Sequence, residues 1–195
     1  LSSTLDMQTV VKSVVENVHK LFNARDTILR LVGSDGKTLQ AALALGMYAE
    51  ENMSDPLILG EGITGSIAQS GIAEVIDNVE LDPRGGHVAG TPDQEDTPET
   101  MMVAPLIAST RAIGVLSVYK DRIEGTFSQV DLDFLIGLGR QAAIAIENAR
   151  LFAETEQRAA ELSIISSVGQ SLTEELDLQT IIENVGDKLR QSLKV

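Results

Sequence analysis

The sequence predicts an α+β fold, an antiparallel sheet with helices segregated to its faces. Three observations lead there. Apolar runs at 27–32 and 39–45, and again at 101–107 and 112–119, flank short turn segments and read as two hairpins. Apolar residues recur at steps of three and four near both ends of the chain, which marks amphipathic helices. Helices and strands do not alternate regularly, as a parallel βαβ sheet would require.

The first helix opens at Leu5-Asp-Met-Gln-Thr9 with Asp6 as its cap, and Met7, Val10, Val11, Val14, Val18 and Leu21 share one face. Strands 27–32 and 39–45 follow, joined across Gly33 and Gly36. A short strand at 56–59 precedes a helix from Gly60 to about Ser70, which Gly71 closes. A strand at 74–76 leads into residues 77–99, rich in Asp, Glu, Gly and Pro. A connection that long inside a domain is usually functional or mobile. The hairpin of 101–107 and 112–119 comes last before a long helix.

That helix, from Ser128 to about Leu172, organises the chain. Ser128 and Asp131 have capping-box spacing, and Phe127 with Leu132 have the spacing of a hydrophobic staple. Leu132, Leu135, Ile136, Leu138, Ala142, Ala145, Ile146, Ala149 and Phe152 then mark one face. The segment 141–146 is apolar on more than one side and reads as buried, whereas Glu154 and Arg158 have the i,i+4 spacing of an exposed helix. A helix of two characters is expected to pack against a partner copy, with Leu138, Ala142, Ala145, Ala149 and Phe152 as the seam. The alternative is a terminal helix folded back on its own domain. Leu162, Ile165 and Val168 fall out of phase with the seam.

Leu176-Asp-Leu-Gln-Thr180 repeats Leu5-Asp-Met-Gln-Thr9, and Ile181, Ile182, Val185, Leu189 and Leu193 repeat the apolar face that follows it. This implies tandem domains: 1–155 the first, 156–175 a helical connector, and 176–195 the opening helix of a second. With no initiator Met, the chain is expected to be a fragment of a longer one.

Composition narrows the function. At 195 residues the chain can bury roughly 70% of its unfolded surface. A net charge of −14 with no basic stripe argues against nucleic acid. No apolar run approaches a membrane span, so no membrane segment is expected. The absence of cysteine fits a reducing, cytoplasmic compartment and removes disulfides, thiolate catalysis and thiol-linked cofactors such as a covalent bilin.

Gly60-x-Gly62-x-x-Gly65, Asn78 with Asp82-Pro-Arg84, the strand ending Ile113-Gly-Val-Leu-Ser-Val118, Phe127-x-x-x-Asp131 and the stretch 141–152 together resemble a GAF domain over about residues 5–155. The resemblance implies a six-stranded antiparallel sheet with a ligand pocket between one sheet face and residues 60–100. It also implies a sensory or regulatory role within a larger signalling protein of the sensor-kinase or nucleotide-cyclase type, two-component systems included.

From it we expect Gly62, Ile63, Thr64, Ile76, Asn78, Asp82, Arg84, His87 and Met102 to bind a ligand, with Arg84 contacting an anionic group. The glycine pattern also copies a dinucleotide fingerprint, but that motif belongs to a βαβ unit, so a tight turn explains it better. Lys120, Phe127 and Asp131 match part of the signature of cyclic-nucleotide-binding GAF domains, while Tyr119 and Leu132 depart from it. The cap and staple explain the same residues without a ligand. Cyclic nucleotide or another small anion therefore stands as the candidate ligand, with no metal site.

His19 is expected at the surface, and the run 93–96 is read as solvated loop. One GAF family reduces free methionine sulfoxide through cysteines that this chain lacks, so no enzymatic activity is expected. The alternative to a homodimeric small-molecule sensor is a ligand-free dimerisation and relay module.

Overall fold

The computed structural model describes residues 2–86, 90–91 and 98–192, with the side chains of 2–6, 169 and 171–180 outside that description. His87 and the acidic run at 93–96 therefore lie outside the described residues, as does the Asp6 side chain. The chain divides into two compact units, Leu1–Arg150 and Leu151–Val195.

In chain order the elements are α1 (Ser2–Leu21), β1 (Asp26–Val32), β2 (Thr38–Gly46), α2 (Ala49–Ser54), β3 (Leu57–Ile58), α3 (Gly62–Ser70), β4 (Glu74–Ile76), β5 (Glu99–Ala108), β6 (Arg111–Asp121) and α4 (Gln129–Ser192), with short 3-10 turns at Val79–Leu81 and Arg122–Glu124. The six strands form one sheet in the order β3-β2-β1-β6-β5-β4. Every strand pair is antiparallel, so the fold is the expected α+β one.

Alternation along the strands separates two cores. On one face Leu29, Met102, Ala104, Leu106, Leu116 and Val118 pack with Val11, Val15 and Val18 of α1 and Leu132, Leu135, Ala142 and Ile146 of α4. On the other, Met101, Val103 and Val115 pack with Ile63 and Ile67 of α3. The second core is smaller, and it leaves room for a cavity.

The start of α4 forms as its residues dictate. Ser128 N–H donates to Asp131 Oδ2 at 2.8 Å, and Asp131 N–H donates to Ser128 Oγ at 3.2 Å, closing the capping box. Phe127 and Leu132 are both buried, and Phe127 meets the Phe22 ring edge-on at 6.4 Å. These contacts tie the end of α1 to the start of α4.

Four features differ from the sequence expectation. Helix α1 already runs from Ser2, upstream of Asp6. Helix α3 starts at Gly62 rather than Gly60, because Gly60 holds the left-handed φ of +89° that ends β3. Helix α2, short and without a distinctive apolar period, was not expected. The two helices expected at 128–172 and 176–194 are replaced, over the described residues, by a single 64-residue helix, Gln129–Ser192, since no proline or turn sequence separates them. In the second unit the Ile181, Ile182, Val185 and Leu189 face is exposed.

Candidate functional site

The candidate site lies on the α3 side of the sheet, a cavity of about 140 Å³ within the first unit. Its floor is built by cross-strand pairing: Met101 of β5 and Asp26 of β1 both sit opposite Tyr119 of β6. One wall is the first turn of α3, where Gly62, Ile63 and Thr64 line the space. The opposite wall is α2 and its flanks, through Tyr48, Asn52 and Asp55.

Backbone requirements explain the glycine pattern at that turn. Gly62 has φ +64°, a conformation that favours glycine. A Cβ at Gly65 would stand 2.1 Å from the Ile58 carbonyl oxygen, so only glycine lets α3 lie this close to β3. The sheet beside it is antiparallel, so the fingerprint serves a turn. The α3 N-cap Glu61 makes no side-chain capping bond, which leaves N–H groups of the first turn to other acceptors.

Arg25 fixes one end of the cavity. Its guanidinium donates to Asp26 at 2.7 Å, Glu99 at 2.7 Å and Asp121 at 2.6 Å, and its charge lies 4.9 Å from the Tyr48 ring centroid. Burial works against that charge, yet the three carboxylates outweigh it and hold Arg25 above its ordinary range. Burial pushes the Glu99 carboxyl up, with Arg25 opposing. Burial raises the Tyr119 phenol, with the Arg30 charge and a hydrogen bond with Thr64 opposing.

Behind the α2 wall lies Arg30, at 1% exposure the largest fully buried side chain. Its Nη2 donates to Asn52 Oδ1 at 3.1 Å and to the Asn52 carbonyl at 3.4 Å. Among the described residues its Nε and Nη1 have no partner. Burial accordingly lowers its guanidinium from the ordinary range.

Of the described residues the sequence singled out, Gly62, Ile63 and Thr64 line the cavity, whereas Ile76, Asn78, Asp82, Arg84 and Met102 do not. Met102 sits in the opposite core, because strand alternation sends Met101 and not Met102 toward α3. Ile76 is buried among the α3-side apolar residues. Asn78 uses its Oδ1 to accept from Glu80 N–H at 3.1 Å, capping the 3-10 turn.

Arg84 is engaged within its own loop. It donates to Glu74 at 2.8 and 3.1 Å and to Asp82 at 2.8 and 3.0 Å. These bonds account for Asp82 as well and hold its carboxyl below the usual range. The expected charged contact is thus already paired, and Arg25, Arg30, Tyr48, Asn52 and Tyr119 are the polar groups the sequence reading missed. An arginine in the middle of the apolar run 27–32 was the one available signal.

The Lys120, Phe127 and Asp131 set assembles at the start of α4. Lys120 Nζ lies 5.0 Å from the Phe127 ring centroid, and bonds from Ser128 hold the Asp131 carboxyl below its usual range. None of the three lines the cavity. His19 Nδ1 lies 3.2 Å from the buried Thr27 hydroxyl, so it joins α1 to β1 and is only partly exposed.

The expected seam divides. Ala142 is buried in its own domain at 1% exposure, because the apolar stripe first covers the sheet. Leu138, Ala142 and Ala145 border a groove against α1, Ala149 is partly buried, and Phe152 of the second unit is exposed. The exposed apolar side chains of α4 in the first unit are Val130, Phe134 and Ile144. Among the described residues no helix is long and apolar enough to cross a membrane.

A family profile described as GAF domain matches residues 4–147. The Nif-specific regulatory protein of Herbaspirillum seropedicae is 27% identical over 122 residues, which are 62% of this chain and 22% of that protein. That of Azospirillum lipoferum is 27% identical over 135 residues, 64% of this chain and 20% of the relative. The chain thus spans about a fifth of the curated relatives it matches.

Among solved structures, the GAF domain/HD domain protein from Geobacter sulfurreducens has a TM-score of 0.64 at 16% identity, covering 75% of this chain and 95% of that one. The GAF-B domain of DevS from Mycobacterium smegmatis has 0.60 at 19%, covering 79% and 99%. Free methionine-R-sulfoxide reductase from Neisseria meningitidis, in complex with its substrate, has 0.62 at 20%, covering 75% and 81%. At these identities the likeness is one of fold.

Proposed function

The chain belongs to the GAF domain family, and from that premise we propose that the unit Leu1–Arg150 is a regulatory domain that binds a small molecule. The observation that carries this reading is the cavity between α2, α3 and the sheet, with the polar groups of Thr64, Tyr119 and Asn52 on its walls. At about 140 Å³ it lies below the roughly 300–1,000 Å³ of sites for drug-sized ligands, which favours a small metabolite over a cyclic nucleotide. The relatives named as regulatory proteins support a place in a larger regulatory chain. The output is of the sensor-kinase or nucleotide-cyclase type that the sequence resemblance implies, or a regulator like those relatives.

We read the domain as binding rather than catalysing, since the chain has no cysteine for the reductase chemistry that the resemblance associates with one GAF family. Ligand occupancy alters the packing of α3 and the sheet, and α4 carries that change onward in a cytoplasmic homodimer. A second reading, ligand-free dimerisation and relay, is favoured by the exposed apolar residues Val130, Phe134 and Ile144.

Native mass spectrometry under gentle and then denaturing conditions tests the two. A mass excess lost on denaturation is expected for the sensor. A clean dimer that no metabolite stabilises against heat would leave the relay.

A further inference from the structure

We propose that Arg30 is the anion-recognising residue of the cavity, and that its ligand is a small metabolite carrying one carboxylate whose other end is neutral or cationic. This rests on the reading of the cavity as a ligand site.

The argument starts from register. The β1–β2 pairing slips between Leu29 and Arg30, so that Leu29 faces Leu43 while Arg30 faces Ala41. The extra residue is Ala42 of β2, and bulges of this kind recur beside binding sites. Alternation puts Arg30 on the α3 face with its cross-strand neighbour Val115, whereas Leu29 enters the helical core. The groups that bond to Arg30 or act on its charge are Asn52, Tyr119 and Asp55. All three line the cavity.

A guanidinium with two nitrogens lacking partners is an expensive group to bury. Isolated charges in protein interiors are normally paired or fully hydrogen-bonded. Arg30 has Asn52 as its hydrogen-bond partner, and Asp55 acts on it electrostatically without an ion pair within reach. Ser117 Oγ, also buried without a partner among the described residues, lies on the same face one pair from Tyr119. A carboxylate reaching past Asn52 would satisfy both, and the first-turn N–H groups of α3 would favour the same charge.

The remaining charges set the ligand's other end. Arg25 is matched by Asp26, Glu99 and Asp121. Asp55 and Glu61 border the cavity with no ion pair among the described residues. They repel a second negative charge and accept a cation, so a dicarboxylate or a phosphate is disfavoured against a monocarboxylate or an amino acid.

The test uses the full chain, with L-amino acids, propionate, lactate, succinate and inorganic phosphate as probes in thermal-shift and calorimetric titrations. At least one amino acid or monocarboxylate is expected to stabilise the wild type. Its affinity should fall at least tenfold in Arg30→Met and in Arg30→Lys, a lysine lacking the planar fork. Arg30→Met should melt no lower than the wild type, because it removes a poorly satisfied buried charge.

A ligand that binds Arg30→Met as tightly as wild type would overturn the role of Arg30 while leaving the sensor reading intact. A clear fall in the melting temperature of Arg30→Met would make Arg30 a structural residue. Binding of succinate or phosphate alone would overturn the ligand class. A wild type that responds to none of these probes, nor to any wider metabolite set, would remove the sensor reading itself.

Discussion

Met101 and Met102 are adjacent in the chain and lie in different cores: Met101 beneath α3 at the cavity floor, Met102 between the sheet and helices α1 and α4. Both are buried to within 1%. Their separation decides which substitutions reach the ligand. Each Met→Ala change should cost roughly 2–5 kcal/mol of stability, as for other buried side chains. Ligand affinity should change in Met101→Ala and stay at the wild-type value in Met102→Ala. Titration calorimetry on both variants checks this, and an effect at Met102 alone would reverse the facing drawn here.

Arg84 secures the segment after β4 instead of meeting a ligand. Arg84→Ala removes its bonds to Glu74 and Asp82 in a site one-third exposed. It should lower stability by about 0.5–1.5 kcal/mol and leave affinity within twofold. Chemical denaturation paired with titration separates the two effects.

Substitutions at buried and at exposed positions of α4 should have opposite outcomes. Ala142→Asp places a carboxylate in the domain core and should prevent folding or cost several kcal/mol. Phe134→Asp and Ile144→Asp change exposed positions and should leave the fold intact while shifting the protein toward monomer. Circular dichroism and sedimentation velocity give the answer; a dimer unaffected by both exposed changes would place the contact elsewhere.

The β1–β2 turn carries a pH signature. Asp35 accepts bonds from the Lys37 and Thr38 N–H groups at 2.9 and 3.0 Å and from the Thr38 hydroxyl, and its carboxyl is pulled down to about 2. A depressed carboxyl stabilises the fold fully above its unfolded value of about 3.9, and that contribution is lost as pH falls through about 2. The melting-temperature gap between wild type and Asp35→Asn should therefore narrow between about pH 5 and about pH 2. A constant gap would mean that the carboxylate charge is irrelevant there.

The fold was legible where its causes are local. Ser128 and Asp131, or Gly33 and Gly36, act within a few residues, so their spacing alone announces a cap or a turn. The site was legible only at α3, where Gly62 to Thr64 form one continuous turn. Arg30, Asn52 and Tyr119 come from three distant stretches, and they meet because β1 pairs with β6 and slips by one residue against β2. The choice between Met101 and Met102 likewise depends on which face of β5 meets α3, which a run of consecutive apolar residues does not encode. Arg84 misled for the opposite reason: its partners Asp82 and Glu74 are close in sequence, yet a lone arginine in a loop reads as free until its geometry is known.

The most direct test of a ligand site on the α3 face is a ¹H–¹⁵N correlation spectrum of the protein during titration with a metabolite that stabilises it. Shifts are expected to cluster at Gly62, Ile63, Thr64, Met101 and Tyr119, with the α1 and α4 residues of the opposite core following weakly or not at all. Saturable shifts confined to Val11, Val15, Leu135 and Ile146, with the cavity residues unmoved, would contradict it.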